Sequence, residues 1–275
     1  MTYPLAYGYS LVGRIVRCGR NVSDADAIRG RLAFTFSPHA SRVVADRGAV
    51  QIVPEGISPE DAVFLPSVET ALSLAHDAHA RVGENVAVYG QGLIGLLVTA
   101  LLGLQGGGPV DPSGRFGTIT AFDTVGDRLA ASSAMGASQA LLPSEASAAG
   151  PFDVSIEVSG NSRALQAAID NTSRGGRVVV GSWYGDTDVK LRLGIDFHRS
   201  CKTIRSSQVS EISAELRALW DKDRRFDLTW ELVRRVHPSR LITRVVGLEK
   251  AQEAYELLDA GKEIAIAFGY NQNAE

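Results

Sequence analysis

Residues Asn85 to Leu102 read NVAVYGQGLIGLLVTALL. A short apolar run ends at Tyr89, glycines follow at Gly90, Gly92 and Gly95, and a second apolar run continues to Leu104. The pattern is strand, tight turn, helix, and each glycine has its own task. Gly90 permits the turn, Gly92 lets a pyrophosphate approach the backbone, and Gly95 lets the helix pack closely on the strand. Gln91, Leu93 and Ile94 complete the turn. The helix N-terminus supplies N–H donors and the positive end of a dipole. The next apolar run, TITAFD, closes on Asp123, whose carboxylate can accept hydrogen bonds from both adenosine ribose hydroxyls and would repel a 2′-phosphate. The expected cofactor is therefore NAD, with NADP the weaker alternative; Arg128, a nearby base, is the residue that could accommodate a phosphate. Asp123 lies 28 residues after Gly95, beyond the usual ~20. The Gly/Pro-rich stretch Gln105 to Gly117, read as a long mobile loop, accounts for the excess.

Outward from this stretch the rhythm differs on the two sides. From residue 85 onward, strands at Asn85–Tyr89, Thr118–Phe122, Val154–Val158 and Arg177–Val180 alternate with helices at Leu93–Leu104, Arg128–Met135 and Arg163–Asn171. That alternation argues a parallel sheet covered on both faces, an α/β doubly wound Rossmann arrangement. Before residue 70, short β-like segments (Ser10–Arg17, Arg31–Phe36, Ser41–Val44, Gln51–Val53) are separated by turn residues. Ser58-Pro59-Glu60-Asp61 reads as a helix start, with a capping hydroxyl, proline at the first position and acids at the positive dipole end. The tail carries helical patterns over Ala214–Trp220, Leu228–Val236 and Leu248–Leu258, the last stopped by Gly261.

The chain has 275 residues, 45% of them hydrophobic, and a formal net charge of −3, so nothing pulls it towards nucleic acid or an anionic membrane. Five lysines stand against 23 arginines, a skew that fits genomic composition better than a binding site. Cys18 and Cys201 are far apart, which excludes a four-cysteine zinc site within the chain and makes a reducing compartment, the cytoplasm, the expectation. The start shows no signal-peptide pattern, and no apolar run reaches membrane length.

Six blocks resemble the medium-chain dehydrogenase/reductase superfamily, the zinc alcohol dehydrogenase relatives. They are YGYSLVGRIVRCGRNV, IVPEGISPEDAVFLPSVETAL, VGENVAVYGQGLIG, FDVSIEVSG, GGRVVVGS and LITRVVGLEKAQEAYELLDAG. The resemblance implies a GroES-like catalytic domain over 1–72, completed by 211–275, and a Rossmann domain over 73–210. It implies hydride transfer in the cleft between them. It further implies that Gly90–Gly95 hold the pyrophosphate, that Asp123 holds the ribose, that Ser159 and Gly160 line the cofactor path, and that Gly181 and Ser182 lie beside the nicotinamide. Thr70 matches a threonine that packs on that ring.

The departures bear on chemistry. Where zinc relatives carry Gly-His-Glu, this chain has Gly8-Tyr9-Ser10, and near the third ligand position, Phe64 to Pro66, no side chain can donate to a metal. A catalytic zinc uses about three His, Cys or carboxylate ligands, so no metal is expected. The proton must then be carried by another group, and Tyr9, His39 and Glu69 are the candidates. His76 and His79 read as surface residues, and Tyr184 and His198 as loop residues near the nicotinamide-side strand. Relatives usually have several tens of residues before the Gly-His-Glu block, and this chain has seven. The readings are a true start further upstream, a missing part on a separate chain, or a truncated small domain whose lost strands would leave an open sheet edge. A homo-oligomer, a dimer or a pairing with a partner chain, is the expectation that follows. The function read from all this is zinc-independent hydride transfer between NAD(H) and a small alcohol or carbonyl substrate. The alternatives are a non-catalytic NAD-binding subunit and a redox-neutral enzyme with tightly held NAD.

Overall fold

The structure, a computed structural model, describes residues 6–107 and 117–270. Most of the Gln105–Gly117 stretch lies outside the described residues. In chain order the strands are β1 (Leu11–Arg14), β2 (Leu32–Thr35), β3 (Val50–Ile52), β4 (Val86–Tyr89), β5 (Ile119–Phe122), β6 (Gln139–Leu141), β7 (Phe152–Glu157), β8 (Thr172–Val180), β9 (Thr203–Ser206), β10 (Ile242–Gly247) and β11 (Ala265–Gly269). The helices are α1 (Ala25–Ile28), α2 (Pro59–Ala62), α3 (Leu65–Ala78), α4 (Leu93–Leu102), α5 (Gly126–Ala134), α6 (Ala146–Ala149), α7 (Ser162–Asp170), α8 (Asp196–Arg199), α9 (Lys222–Val236) and α10 (Ala251–Asp259).

Two compact units form, Ser67–Phe226 and Met1–Pro66 with Asp227–Glu275. The boundaries at 72 and 210 expected from sequence move to 66 and 226. Helix α3 from Ser67 onward belongs with the larger unit: its Leu74 side chain lies against Gly181, where a Cβ would come within 2.6 Å. The 211–226 segment belongs there too, because Arg225 is bonded to Glu69 on α3.

In the larger unit six parallel strands lie in the order β6-β5-β4-β7-β8-β9. The chain runs outward from β4 to one side, then returns to β7 on the other. Ligands bind outside the carboxyl ends of such sheets, at the point where the order reverses, here between β4 and β7. Every residue of β4 and β5 is buried, as two-sided covering of a parallel sheet requires. Aromatic stacking of Tyr89 on Phe122, with Phe152 edge-on to Phe122, fills one face.

The smaller unit has an antiparallel three-stranded sheet, β1-β2-β3, and a parallel pair, β10-β11. Its buried apolar residues include Phe34, Val53, Ala62, Phe64, Trp230 and Val233. Helix α2 starts as the sequence implies: Ser58 Oγ accepts from the Asp61 N–H at 3.0 Å, and Pro59 is its first residue. At the other end of the chain, Gly261 adopts a positive φ of 68° just past α10 and its N–H bonds Leu258 O.

Two expectations fail. Ser41–Val44 forms no strand among the described residues, and all four residues are solvent-exposed. Ala214–Trp220 forms successive turns rather than a helix. The preceding carbonyls of Val209 and Glu211 are taken by the Arg225 guanidinium, which anchors the segment as an irregular strap. No helix among the described residues is long and apolar enough to cross a membrane.

Candidate dinucleotide site

The site is built at the carboxyl ends of β4, β5, β7 and β8. Gly90 leaves β4 at φ +96°, and a Cβ there would lie 2.6 Å from Ser159 Cα, so the turn packs directly on the segment after β7. A Cβ on Gly95 would lie 1.8 Å from Gly90 O, which leaves room for glycine alone where α4 crosses the turn. Gly92, by contrast, has nothing within 4 Å of its would-be Cβ and caps α4 with no side chain. The first turn of α4 therefore faces open space with N–H groups that no side chain caps. An anion fits this arrangement, because both the donors and the helix dipole favour negative charge.

Gln91 has a different part from the one expected. Its side chain is fully buried, with Nε2 donating to Val88 O at 3.2 Å and Oε1 accepting from Thr99 Oγ1 at 3.1 Å. Its backbone N–H donates to Asp123 Oδ2 at 2.6 Å. Gln91 thus holds the turn to the core and to the tip of β5, and presents no group to a ligand. Asp123 is fixed on its other side by the Val125 N–H, 2.9 Å from Oδ1. Both carboxylate oxygens are oriented by backbone donors, and each keeps a lone pair for a ribose hydroxyl. Leu93 and Ile94 are partly exposed at the start of α4, and Arg128 is partly exposed in the first turn of α5, five residues beyond Asp123.

On the β7 and β8 side, Ser159, Gly160, Gly181 and Ser182 come together. The Gly160 N–H donates to Ser182 Oγ at 2.8 Å, joining the two post-strand segments. Beneath them lies a residue to which the sequence reading gave no role. Glu157, the last residue of β7, is 0% exposed. Its Oε1 accepts from the Ser159 N–H (2.7 Å) and from Ser159 Oγ (2.6 Å), and its Oε2 accepts from the Tyr184 hydroxyl at 2.6 Å. Burial, and then the Glu157 carboxylate, raise the Tyr184 hydroxyl above its ordinary range, so it stays protonated and donates. The available signal was an acid at the end of a strand, as Asp123 follows β5.

The candidate proton carriers fare differently. Glu69 is buried, and its Oε1 accepts from Arg225 Nε at 3.0 Å and Nη2 at 2.7 Å. That pairing ties Oε1 to the arginine and makes Glu69 a packing element of the α3 face. Thr70 follows it, partly buried on α3. Tyr9, in the smaller unit, is 62% exposed. His39, also in the smaller unit, sits in an aromatic nest: its ring is edge-on to Phe268 at 4.7 Å, and its Nε2 lies 3.2 Å from the Tyr255 hydroxyl. Gly8 packs on the same ring, with a would-be Cβ 2.8 Å from it. Burial holds the His39 imidazole below its ordinary range, which keeps it neutral near pH 7. Tyr255, 216 positions away in the chain, had no local signal.

His76 is a correction. It is not a surface residue: its ring packs on Trp220 at 4.5 Å and lines a small recess with Ser73, Asp77 and Arg225. His79, partly buried at φ +47°, comes within 3.9 Å of Glu215. His198 is exposed on α8.

The positions where the resemblance places zinc ligands carry other residue types. Tyr9 and Ser10 occupy the block where a ligand would stand, Phe64, Leu65 and Pro66 are buried without a donor side chain, and among the described residues no group of three His, Cys, Asp or Glu could hold a metal ion.

The chain is similar to several proteins named as dehydrogenases. The chain is 26% identical to D-guloside 3-dehydrogenase of Escherichia coli K12 over 282 residues, covering 95% of this chain and 76% of that protein. Among solved structures, an alcohol dehydrogenase of E. coli CFT073 complexed with NADH superimposes with a TM-score of 0.75 at 18% identity, covering 98% of this chain and 85% of that one. The 2R,3R-butanediol dehydrogenase of Bacillus subtilis gives 0.73 at 19% identity, with coverage of 98% and 82%. No family model matches the chain. The chain has the α/β fold of these alcohol dehydrogenases, with a Rossmann-type parallel sheet.

Proposed function

We propose that the protein is an NAD-dependent dehydrogenase that oxidises a secondary alcohol of a small, sugar-like substrate, or reduces the corresponding carbonyl, without zinc. The observation that carries the reading is the turn Gly90–Gly95 bonded through Gln91 N–H to Asp123. It combines an open anion cradle with a carboxylate aimed at a ribose, and that carboxylate favours NAD over the 2′-phosphorylated form. The substrate class is supported by the likeness to a glycoside dehydrogenase. Bound nicotinamide would supply the hydride acceptor, and the protein's part is to orient both reactants and to move the proton.

His39 is the proton carrier this reading favours. A neutral imidazole can accept the alcohol proton, and the Tyr255 hydroxyl holds its Nε2 in place. Glu69 is committed to Arg225. The donor set argues the zinc independence, and a homo-oligomer and a cytoplasmic setting remain part of the proposal.

Calorimetry with NADH and NADPH tests the cofactor reading. NADH should bind at least about tenfold more tightly, a difference of ~1.4 kcal/mol. Absence of affinity for either coenzyme by the folded chain would overturn it. Metal analysis of the active, dialysed protein tests the zinc claim, since stoichiometric zinc required for turnover would refute it. For His39, the rate of alcohol oxidation should fall as pH drops through a limb below the usual imidazole value of ~6.5.

A further inference from the structure

Glu157 is a fully buried carboxylate that the proposed chemistry does not use. Taking such a charge out of water is costly unless it is paired or well hydrogen-bonded. Three donors surround it, none of them cationic: Ser159 N–H, Ser159 Oγ and Tyr184 hydroxyl. The donors come from two different segments, one after β7 and one after β8. A second bond, from Gly160 N–H to Ser182 Oγ, ties the same two segments nearer the surface. Together they make a two-rung clamp over Ser159, Gly160, Ser182 and Tyr184.

The position of this clamp in the sheet is informative. The strand order reverses between β4 and β7, with Asp123 at the tip of β5 on one side of β4 and the clamp at the tips of β7 and β8 on the other. A dinucleotide laid across the switch point has one nucleoside on each side. Asp123 is suited to the adenosine ribose, which leaves the clamp to the nicotinamide nucleoside.

We propose that Glu157 is a positioning residue for the nicotinamide half of the coenzyme: through Ser159 and Tyr184 it fixes the two segments that shape that half-site. The inference rests on the dinucleotide reading above, and it adds a prediction that the reading does not make. Damage to the clamp separates affinity for the whole coenzyme from affinity for its adenosine half.

The test uses the full-length chain and two probes, NADH and ADP, with binding followed by calorimetry and by NADH fluorescence. Tyr184→Phe removes one rung and should weaken NADH about tenfold, the loss of a hydrogen bond to a charged group. It should leave ADP affinity unchanged and reduce the fluorescence gain of bound NADH. Glu157→Ala should weaken NADH further, and Glu157→Gln, which can still accept from Ser159, should recover part of the loss. If Glu157→Ala does not fold, Tyr184→Phe and Glu157→Gln decide the matter. NADH binding as in the unaltered chain by both variants would overturn the inference, and so would equal losses for NADH and ADP, which mark a merely structural role. An unaltered chain that binds neither probe would instead overturn the dinucleotide reading, so the two failures are distinguishable.

Discussion

In the unit Ser67–Phe226, β4 and β5 are buried along their whole length, and eight of the ten residues of α4 are buried. In the unit formed by the two chain ends, β1, β3 and β10 contain no buried residue at all. Tyr7, Tyr9, Val16, Val44 and Val245 are exposed there. The difference follows from architecture. A parallel sheet joined by crossover helices is covered on both faces and can gain about 1.5–3 kcal/mol from each large apolar side chain it buries. In the antiparallel sheet of the smaller unit, β2 alone of the three strands carries buried residues, Ala33, Phe34 and Thr35. The larger unit encloses Glu69–Arg225 and Glu157 in its interior, and the smaller one buries Asp61, which accepts from Ser58 Oγ and from the Ser239 N–H.

The severest way to break this contrast is Arg225→Ala. It strands a buried Glu69 carboxylate and also leaves the carbonyls of Val209 and Glu211 without their donor. The expected loss is about 3–5 kcal/mol in urea unfolding. A loss near zero would mean that the interior of the larger unit tolerates unpaired charge and the contrast is wrong. Gly90→Ala comes next. It combines a positive φ with a Cβ 2.6 Å from Ser159 Cα, and should cost about 2–4 kcal/mol and abolish NADH binding in titration. Unchanged binding would show that the turn does not need its tight packing on the segment after β7.

Glu84→Gln probes a half-buried pair of the larger unit. Arg177 donates to both Glu84 oxygens and also bonds the carbonyls of Ala78 and His79 at the end of α3. The Arg177 hydrogen bonds hold the Glu84 carboxyl below the usual carboxylate range. Its stabilisation is therefore complete above the unfolded value of ~4.3 and is lost as pH falls through the lower folded value. Thermal unfolding should show the variant about 1 kcal/mol weaker at neutral pH, and the gap should close in acid. A gap that widens in acid would contradict the sign. Ser58→Ala, the smallest change, removes the cap of α2 in the other unit and should cost about 1 kcal/mol. Hydrogen exchange should place that loss in α2 and its surroundings. Faster exchange spread through β4 and β5 instead would show that the two units do not differ in how they are held.

The parts of the candidate site legible in sequence were those set by local rules. Gly90, Gly95 and the Ser58 cap each act within a few residues of themselves, and Asp123 closes an apolar strand. The short strands β6 and β9, and the pair β10-β11, left little trace. Three or four residues carry hardly any periodicity, and the pairing partners of β10 lie some twenty positions on. The SVETA segment gave no hint that Glu69 meets an arginine 156 positions later. His39 showed neither its aromatic nest nor Tyr255.

The sequence by itself determined that a β-strand would turn through glycines into a buried helix, and that an acid would stand at the end of the next strand. Steric demand and hydrophobic periodicity operate over a few neighbouring residues and need no folded context. Only the tertiary structure decided which ionisable groups are spent on holding the molecule together and which stay available for a ligand. That outcome depends on partners brought together from distant parts of the chain, and on how much water their meeting excludes.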